Sequence, residues 1–179
     1  TYARQPKAYD GAEMRQLSLP RIQLEALLPV ISGALPLVLD IDRASDMRAA
    51  MRLADQERLK LVFAGAEESW LIASELARRQ IPVIMQPSSQ VPFSFDTLAA
   101  RDDLATLLHQ AGVPLIISTR GWDSNARRLR QEAGLAVANG LPHGAAVVVG
   151  GRHLGLERDR CRIVGDRRVV VLAVRMQVA

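Results

Sequence analysis

The chain has 179 residues, 49% of them hydrophobic, 23% charged and only 4% aromatic. These proportions exclude a disordered chain and describe one globular unit with a core of Val, Ile, Leu and Ala, as in parallel sheets covered by helices. The net charge of +4 comes from arginines spread along helices and gathered near the end, with no basic stripe interleaved with aromatics, so no nucleic-acid partner is expected. A single cysteine, Cys161, excludes an intrachain disulfide and a CxxC metal knot.

No apolar stretch approaches the roughly 20 residues needed to span a bilayer, and the start lacks a charged-then-apolar leader. No membrane partner is expected. The expectation is a soluble protein of cytoplasm or periplasm, and the start at Thr1 in mid-flow reads as a processed chain or a fragment.

In chain order, residues 1–11 are polar and read as a surface segment. Met14 to Ile31 reads as a helix whose apolar face is Leu17, Ile22, Leu24, Leu27, Leu28 and Ile31, with Pro20 marking a start or a break. Leu35 to Leu39 is an apolar run too short for a helix and reads as a buried strand. A helix follows from Ser45, its cap, to about Glu57, with Met47, Ala50, Met51 and Ala54 at helical spacing and Asp46 in its first turn.

The same unit recurs. Strand Leu59 to Ala64 leads through Gly65 to Glu68 into a helix over Ser69 to Gln80. Strand Pro82 to Met85 leads through a longer loop into a helical stretch over Thr97 to Ala111. Strand Pro114 to Ser118 leads through Thr119 to Asn125 into a last helix over Ala126 to Asn139, stopped by Gly140. Four strand-loop-helix units in series require parallel strands with right-handed crossovers. An open doubly wound sheet and a barrel arc both satisfy that pattern. From Ala145 the texture becomes β-rich, with Val147 to Val149, Cys161 to Val164 and Arg168 to Val174 read as short strands in hairpins.

Ligands of parallel α/β folds sit at the carboxyl ends of the strands, so the loops after the four strands hold the candidates. Asp40 and Asp42 alternate, which puts both on one face. Such a pair could bind a hard cation or share a proton, or be neutralised by Arg43 and a helix N-terminus. Glu67 and Glu68 follow Gly65 at a helix start, where capping is the plain role, and Trp70 either covers that helix end or lines a pocket. His109, His143 and His153 all lie away from strand ends, which argues against a histidine-built metal centre. No GxSxG elbow, P-loop or GxGxxG is present.

The order of the segments is more informative than any one of them. Leu35-Pro-Leu-Val-Leu-Asp-Ile-Asp-Arg-Ala-Ser-Asp46, Leu59-Lys-Leu-Val-Phe-Ala-Gly-Ala-Glu-Glu68, Ile81-Pro-Val-Ile84, Gly112-Val-Pro-Leu-Ile-Ile-Ser-Thr119 and Arg128-Leu-Arg-Gln-Glu-Ala-Gly-Leu-Ala-Val-Ala-Asn-Gly-Leu141 follow one another. Over residues 1–144 this order resembles the C-terminal half of imidazolonepropionase-like members of the amidohydrolase superfamily. The resemblance implies part of a (β/α)8 TIM barrel, strands five to eight, followed by a tail over residues 145–179 that is a remnant of a flanking β-sandwich. It further implies metal-dependent hydrolysis, usually with zinc, of C–N bonds in cyclic amides or dipeptide-like substrates.

The ligand pattern departs from that family. Asp40 stands where the fifth-strand histidine is expected, the sixth strand ends in Ala64-Gly65 without one, and the eighth ends in Ser118-Thr119-Arg120-Gly121 without the aspartate. Asp40 is therefore the one candidate metal ligand, favouring a harder divalent ion. Asp42, Arg43, Glu68, Thr119, Asp123 and Asn125 are the candidate substrate contacts.

The expectation is a fragment or degenerate amidohydrolase that takes a small-molecule substrate and is not catalytic alone. Its partners would be further copies of itself or a missing N-terminal half-barrel. A noncatalytic binding or scaffold module is the alternative. A nucleotide-binding α/β domain comes third, weakened by the lack of a glycine-rich phosphate loop.

Overall fold

The computed structural model describes residues 5–11, 13, 15, 17–92, 94–119, 128–146 and 174–175. Three short helices come first: α1 (Pro6–Asp10), α2 (Arg21–Ala26) and α3 (Leu28–Ile31). Of these, α2 and α3 stand in place of the single helix expected over 14–31, and both prolines explain why. Pro20 is extended at φ −57°, ψ 150° and stands outside α2 as its cap, while Pro29 sits in the first turn of α3, where a missing N–H costs nothing. The expected apolar face is not buried either. Val30 alone is buried in α3, no residue of α2 is, and Ile22 and Ile31 face solvent.

The strand-helix units then follow: β1 (Leu37–Ile41), α4 (Ala44–Glu57), β2 (Leu61–Gly65), α5 (Ala73–Arg79), β3 (Val83–Met85), α6 (Leu104–Gln110), β4 (Leu115–Ile117) and α7 (Leu129–Ala138). A single 3₁₀ turn, Ser69–Ile72, leads into α5, and another, Pro87–Ser89, follows β3. β1 and β2 begin two residues later than the apolar runs suggest. Pro36 has no N–H for the ladder, and the first ladder donor is Leu37 N, which bonds Lys60 O at 2.7 Å. Pairing is parallel throughout: Leu37 to Ile41 lie beside Leu61 to Gly65, Phe63 beside Val83, and Val83 to Met85 beside Leu115 to Ile117.

The strands of the four units lie in the order β4-β3-β2-β1, with a short fifth strand beyond β1, which bears on what periodicity left open. A doubly wound sheet needs a reversal of strand order so that helices cover both faces. Among β1 to β4 the order runs without reversal, and right-handed crossovers then carry the helices between them to the same face, consistent with a barrel arc.

Burial agrees with that topology. Leu39, Ile41, Phe63, Val83, Met85 and Ile117 share one face and join Met47, Met51, Ile72, Leu76, Leu104 and Leu108 in a single core cluster. On the other face Val62, Ala64, Ile84 and Ile116 are only half-buried, with Val38 more covered at the rim. The fold is α/β with four consecutive parallel strands, consistent with part of a TIM-barrel-like fold.

The periodic helix α4 matches its sequence closely: Met47, Met51 and Ala54 are buried and Ala50 is half-buried. The helical stretch expected over 97–111 is shorter, starting at Leu104, because residues 94–103 are held in turns by side-chain contacts described below. On its outer edge β1 also pairs in parallel with a two-residue strand, β5 (Val174–Arg175), in which Val174 lies opposite Leu39 and Arg175 opposite Asp40. The rest of the hairpins expected after Ala145, and with them most of the 145–179 tail, lies outside the described residues. No helix among the described residues is long and apolar enough to cross a membrane.

Candidate functional site at the strand ends

The ends of β1 and β2 are joined by backbone bonds that continue past the strands. Ala66 N donates to Ile41 O at 2.8 Å and Glu68 N to Asp42 O at 3.0 Å. The chain can turn there because Gly65 and Ala66 both take positive φ, 80° and 54°, a region open to glycine without penalty and mildly strained for alanine. The turn brings Glu68 back onto the next layer. Its Oε2 accepts a bond from Ala44 N at 2.9 Å, satisfying one of the free N–H groups at the start of α4.

Glu68 thus caps α4 rather than the helix that follows it in sequence. Ser45, expected as the cap, instead donates its Oγ to Asp46 Oδ1 at 3.1 Å, and Arg43 occupies the N-cap position without a capping side chain.

Asp40 is half-buried inside β1, one residue before its end, and Asp42 is half-buried just beyond it. Asp42 Oδ1 is shielded from solvent, as is Oε2 of the buried Glu67. Arg43 turns outward: its Nη2 lies 2.8 Å from Asp96 Oδ1 and donates to Phe95 O at 3.3 Å. Its charge is therefore spent on the loop after β3. Thr119 is half-buried directly after β4. Asp123 and Asn125 lie outside the described residues.

That loop is tied down at a second place. Trp70 Nε1 donates to Ala99 O at 2.9 Å, and the Arg101 guanidinium carbon lies 5.0 Å from the Trp70 ring centroid, a cation–π contact. Arg101 in turn forms a two-bond pair with Asp103, both at 2.8 Å, and that bond holds the Asp103 carboxyl below the usual aspartate range. Trp70 covers a loop rather than a helix end.

A third arrangement was not foreseen from sequence. Glu132 of α7 is buried and accepts bonds from Ser88 N at 2.9 Å, Ser88 Oγ at 2.7 Å and Gln86 Nε2 at 3.3 Å. A charged group this buried requires such partners. The available signal is spacing: Glu132 falls on the stripe of Leu129 and Ala136, the buried face of α7, where a carboxylate must have a specific reason to sit.

The described residues do not fit a resident metal. No group of three or more His, Cys, Asp or Glu among them could hold an ion, and His109 and His143 lie on α6 and in the segment after α7. Asp40 with Asp42 offers two carboxylates where a hard divalent cation takes about six oxygens. The divalent metal implied by the resemblance is not supported by this donor set.

No protein-family model matches this sequence, and no curated protein does. A solved structure of an amidohydrolase from Thermotoga maritima MSB8 matches with a TM-score of 0.69 and 20% identity, over 86% of this chain and 41% of that one. The fold is amidohydrolase-like. The likeness concerns architecture: the chain spans about two-fifths of the length of the structure it matches. It agrees with the order of strands β1 to β4.

Proposed function

We propose that this chain is a part of an imidazolonepropionase-like amidohydrolase barrel that takes a small cyclic amide or dipeptide-like molecule at the ends of β1 to β4 and does not hydrolyse it by itself. The observation that carries this reading is the pair Asp40 and Asp42, half-buried at the end of the first strand of a barrel arc. Ionised carboxylates only accept hydrogen bonds, so they suit the N–H groups of an amide ring. Thr119 adds a hydroxyl at the end of β4, with Asp123 and Asn125 in the same loop of the sequence. Arg43 and Glu68, spent on Asp96 and on the α4 terminus, act as framework for this site rather than as direct contacts.

Hydrolysis would need an activated water and a stabilised oxyanion. The donor set supports neither through a metal, since Asp40 replaces the expected histidine and no third ligand accompanies it among the described residues. A complementary half-barrel, or a second copy of this chain, supplies what is lacking: among the described residues, β4 has an outer edge, and β1 shares its own with two residues of β5. Bare parallel edges invite pairing.

Titration calorimetry with hydantoin and with small dipeptides, alongside elemental analysis and product assays, tests the reading. Binding that weakens at least tenfold in Asp42→Asn, without turnover and without stoichiometric zinc, is the expected result. Turnover accompanied by one zinc per chain would overturn the inactive assignment. Sedimentation of the same sample reads the partner expectation, and a strictly monomeric species at all concentrations would remove self-pairing.

A further inference from the structure

The strand β5 stands out of chain order. β1 to β4 follow one another across the sheet, whereas β5 returns from beyond α7 to the far side of β1. It runs parallel to β1, with Val174 opposite Leu39 and Arg175 opposite Asp40. β1 is thus paired along all five of its residues with β2 and along two with β5. Alternate residues of a strand turn their N–H and C=O groups to opposite neighbours. Leu37 N bonds Lys60 O and Ile41 O accepts from Ala66 N, so Leu37, Leu39 and Ile41 are turned towards β2. Val38 and Asp40 are turned the other way, to the side where β5 lies.

In a closed parallel barrel every strand has a neighbour on both sides, and eight strands complete the ring. β1 to β4 are four parallel strands in chain order. Two such arcs complete one ring through two identical junctions, β4 of each copy beside β1 of the other, and one twofold axis generates both. The strand that such a junction sets beside β1 runs parallel to it, as β5 does. The ring would also enclose Val62, Ala64, Ile84 and Ile116, which the arc leaves half-buried and which are the kind of side chain that fills a barrel interior. β5 and the β4 of a second copy therefore compete for the same outward groups of Val38 and Asp40.

We propose that β5 is an intramolecular cap on β1: it holds the place of the β4 strand of a second copy, restrains two arcs from closing into one barrel, and yields to that strand as concentration rises. A ladder of two residues suits such an exchange, because short, peripheral pairings open at small cost. While the cap is seated, the apparent affinity between copies is reduced by the fraction of chains whose β1 edge is open. The closure half of the proposal rests on the self-pairing reading above. The cap half stands without any partner or ligand.

Val174→Pro in the full chain tests both halves. Opposite Leu39, Val174 faces the outward groups of Val38 and Asp40, and proline removes its N–H from that ladder. At concentrations where the chain is monomeric, the Asp40 amide is expected to be protected from hydrogen exchange in the wild type and to exchange about tenfold faster in the variant. The Leu37 and Phe63 amides, bonded to Lys60 O and Pro82 O, keep their rates and report that the sheet stays folded. An Asp40 amide that exchanges equally fast in both chains overturns the cap, and so does equal acceleration of all three amides.

Sedimentation of the same two chains reads the closure. The dimer dissociation constant is expected to fall about tenfold in Val174→Pro, and the Asp40 amide of the variant regains protection as the dimer forms. A variant that associates no more strongly than the wild type overturns the second copy as the occupant of this edge. Association that leaves Asp40 unprotected does the same, since the copies then meet elsewhere. Neither measurement involves hydantoin or a dipeptide, so a failure of small-molecule binding and a failure of the cap are told apart.

Discussion

The two faces of the sheet are made by the same strands, alternating residue by residue, yet they are built for different ends. On the helix-covered face the side chains from Leu39 through Phe63, Val83 and Met85 to Ile117 are buried in one apolar cluster. On the open face Asp40, Ala64, Ile84 and Ile116 lie in register across the strands and remain half-exposed. A large apolar side chain contributes about 1.5–3 kcal/mol when fully buried and correspondingly less when half of it stays wet. Stability thus resides on one face, and the other is left for whatever the arc encloses.

The largest test of this contrast is Phe63→Ala against Ile84→Ala in urea unfolding. Loss of the fully buried Phe63 is expected to cost about 3–5 kcal/mol, whereas the open-face change costs roughly 1 kcal/mol. Similar costs would mean that the open face is packed as tightly as the covered one.

Next in size is Glu132→Ala, which strands the Ser88 and Gln86 donors below the end of β3. A loss of about 2–3 kcal/mol is expected, with Glu132→Gln, which keeps an acceptor oxygen, losing less. Glu68→Ala removes the bond to the α4 terminus and is expected to cost about 1 kcal/mol, visible as a lowered urea midpoint with an unchanged slope.

The smallest effect is that of pH. The hydrogen bond from Arg101 holds the Asp103 carboxyl below its ordinary value of 3.8. Its contribution is therefore present above the ordinary aspartate range and is lost as pH falls through the depressed folded value. The pair is exposed, so a slight fall in melting temperature on acidification is expected, diminished in Asp103→Asn.

Much of this architecture was legible in the chain. Met47, Met51 and Ala54 announce α4 because a 14-residue helix samples its buried face several times. The short apolar runs announce strands because a strand buried under helices needs no polar alternation. The N-terminal segment misled for the opposite reason: Ile22, Leu28 and Ile31 have helical spacing, but Pro20 and Pro29 divide the segment and those three side chains stay exposed. Of the candidate site, Asp40 and Asp42 were placed near the end of the first strand by the apolar run before them. The partners of Arg43, Glu68 and Glu132 are distant in sequence by 53, 24 and 44 positions respectively, and no local pattern encodes such separations.

The sequence by itself determined that this protein is a series of parallel strand-helix units, because periodicity and apolar runs report local backbone preference and burial. Only the tertiary structure laid β1 to β4 side by side in chain order, consistent with a barrel arc, since one-faced and two-faced windings share the same local periods and differ only in strand order. It also decided the fate of the charges. Arg43, Glu68 and Glu132 are spent on an exposed ion pair, a helix terminus and a buried bracket, and their long-range partners become visible only once the strands are laid side by side.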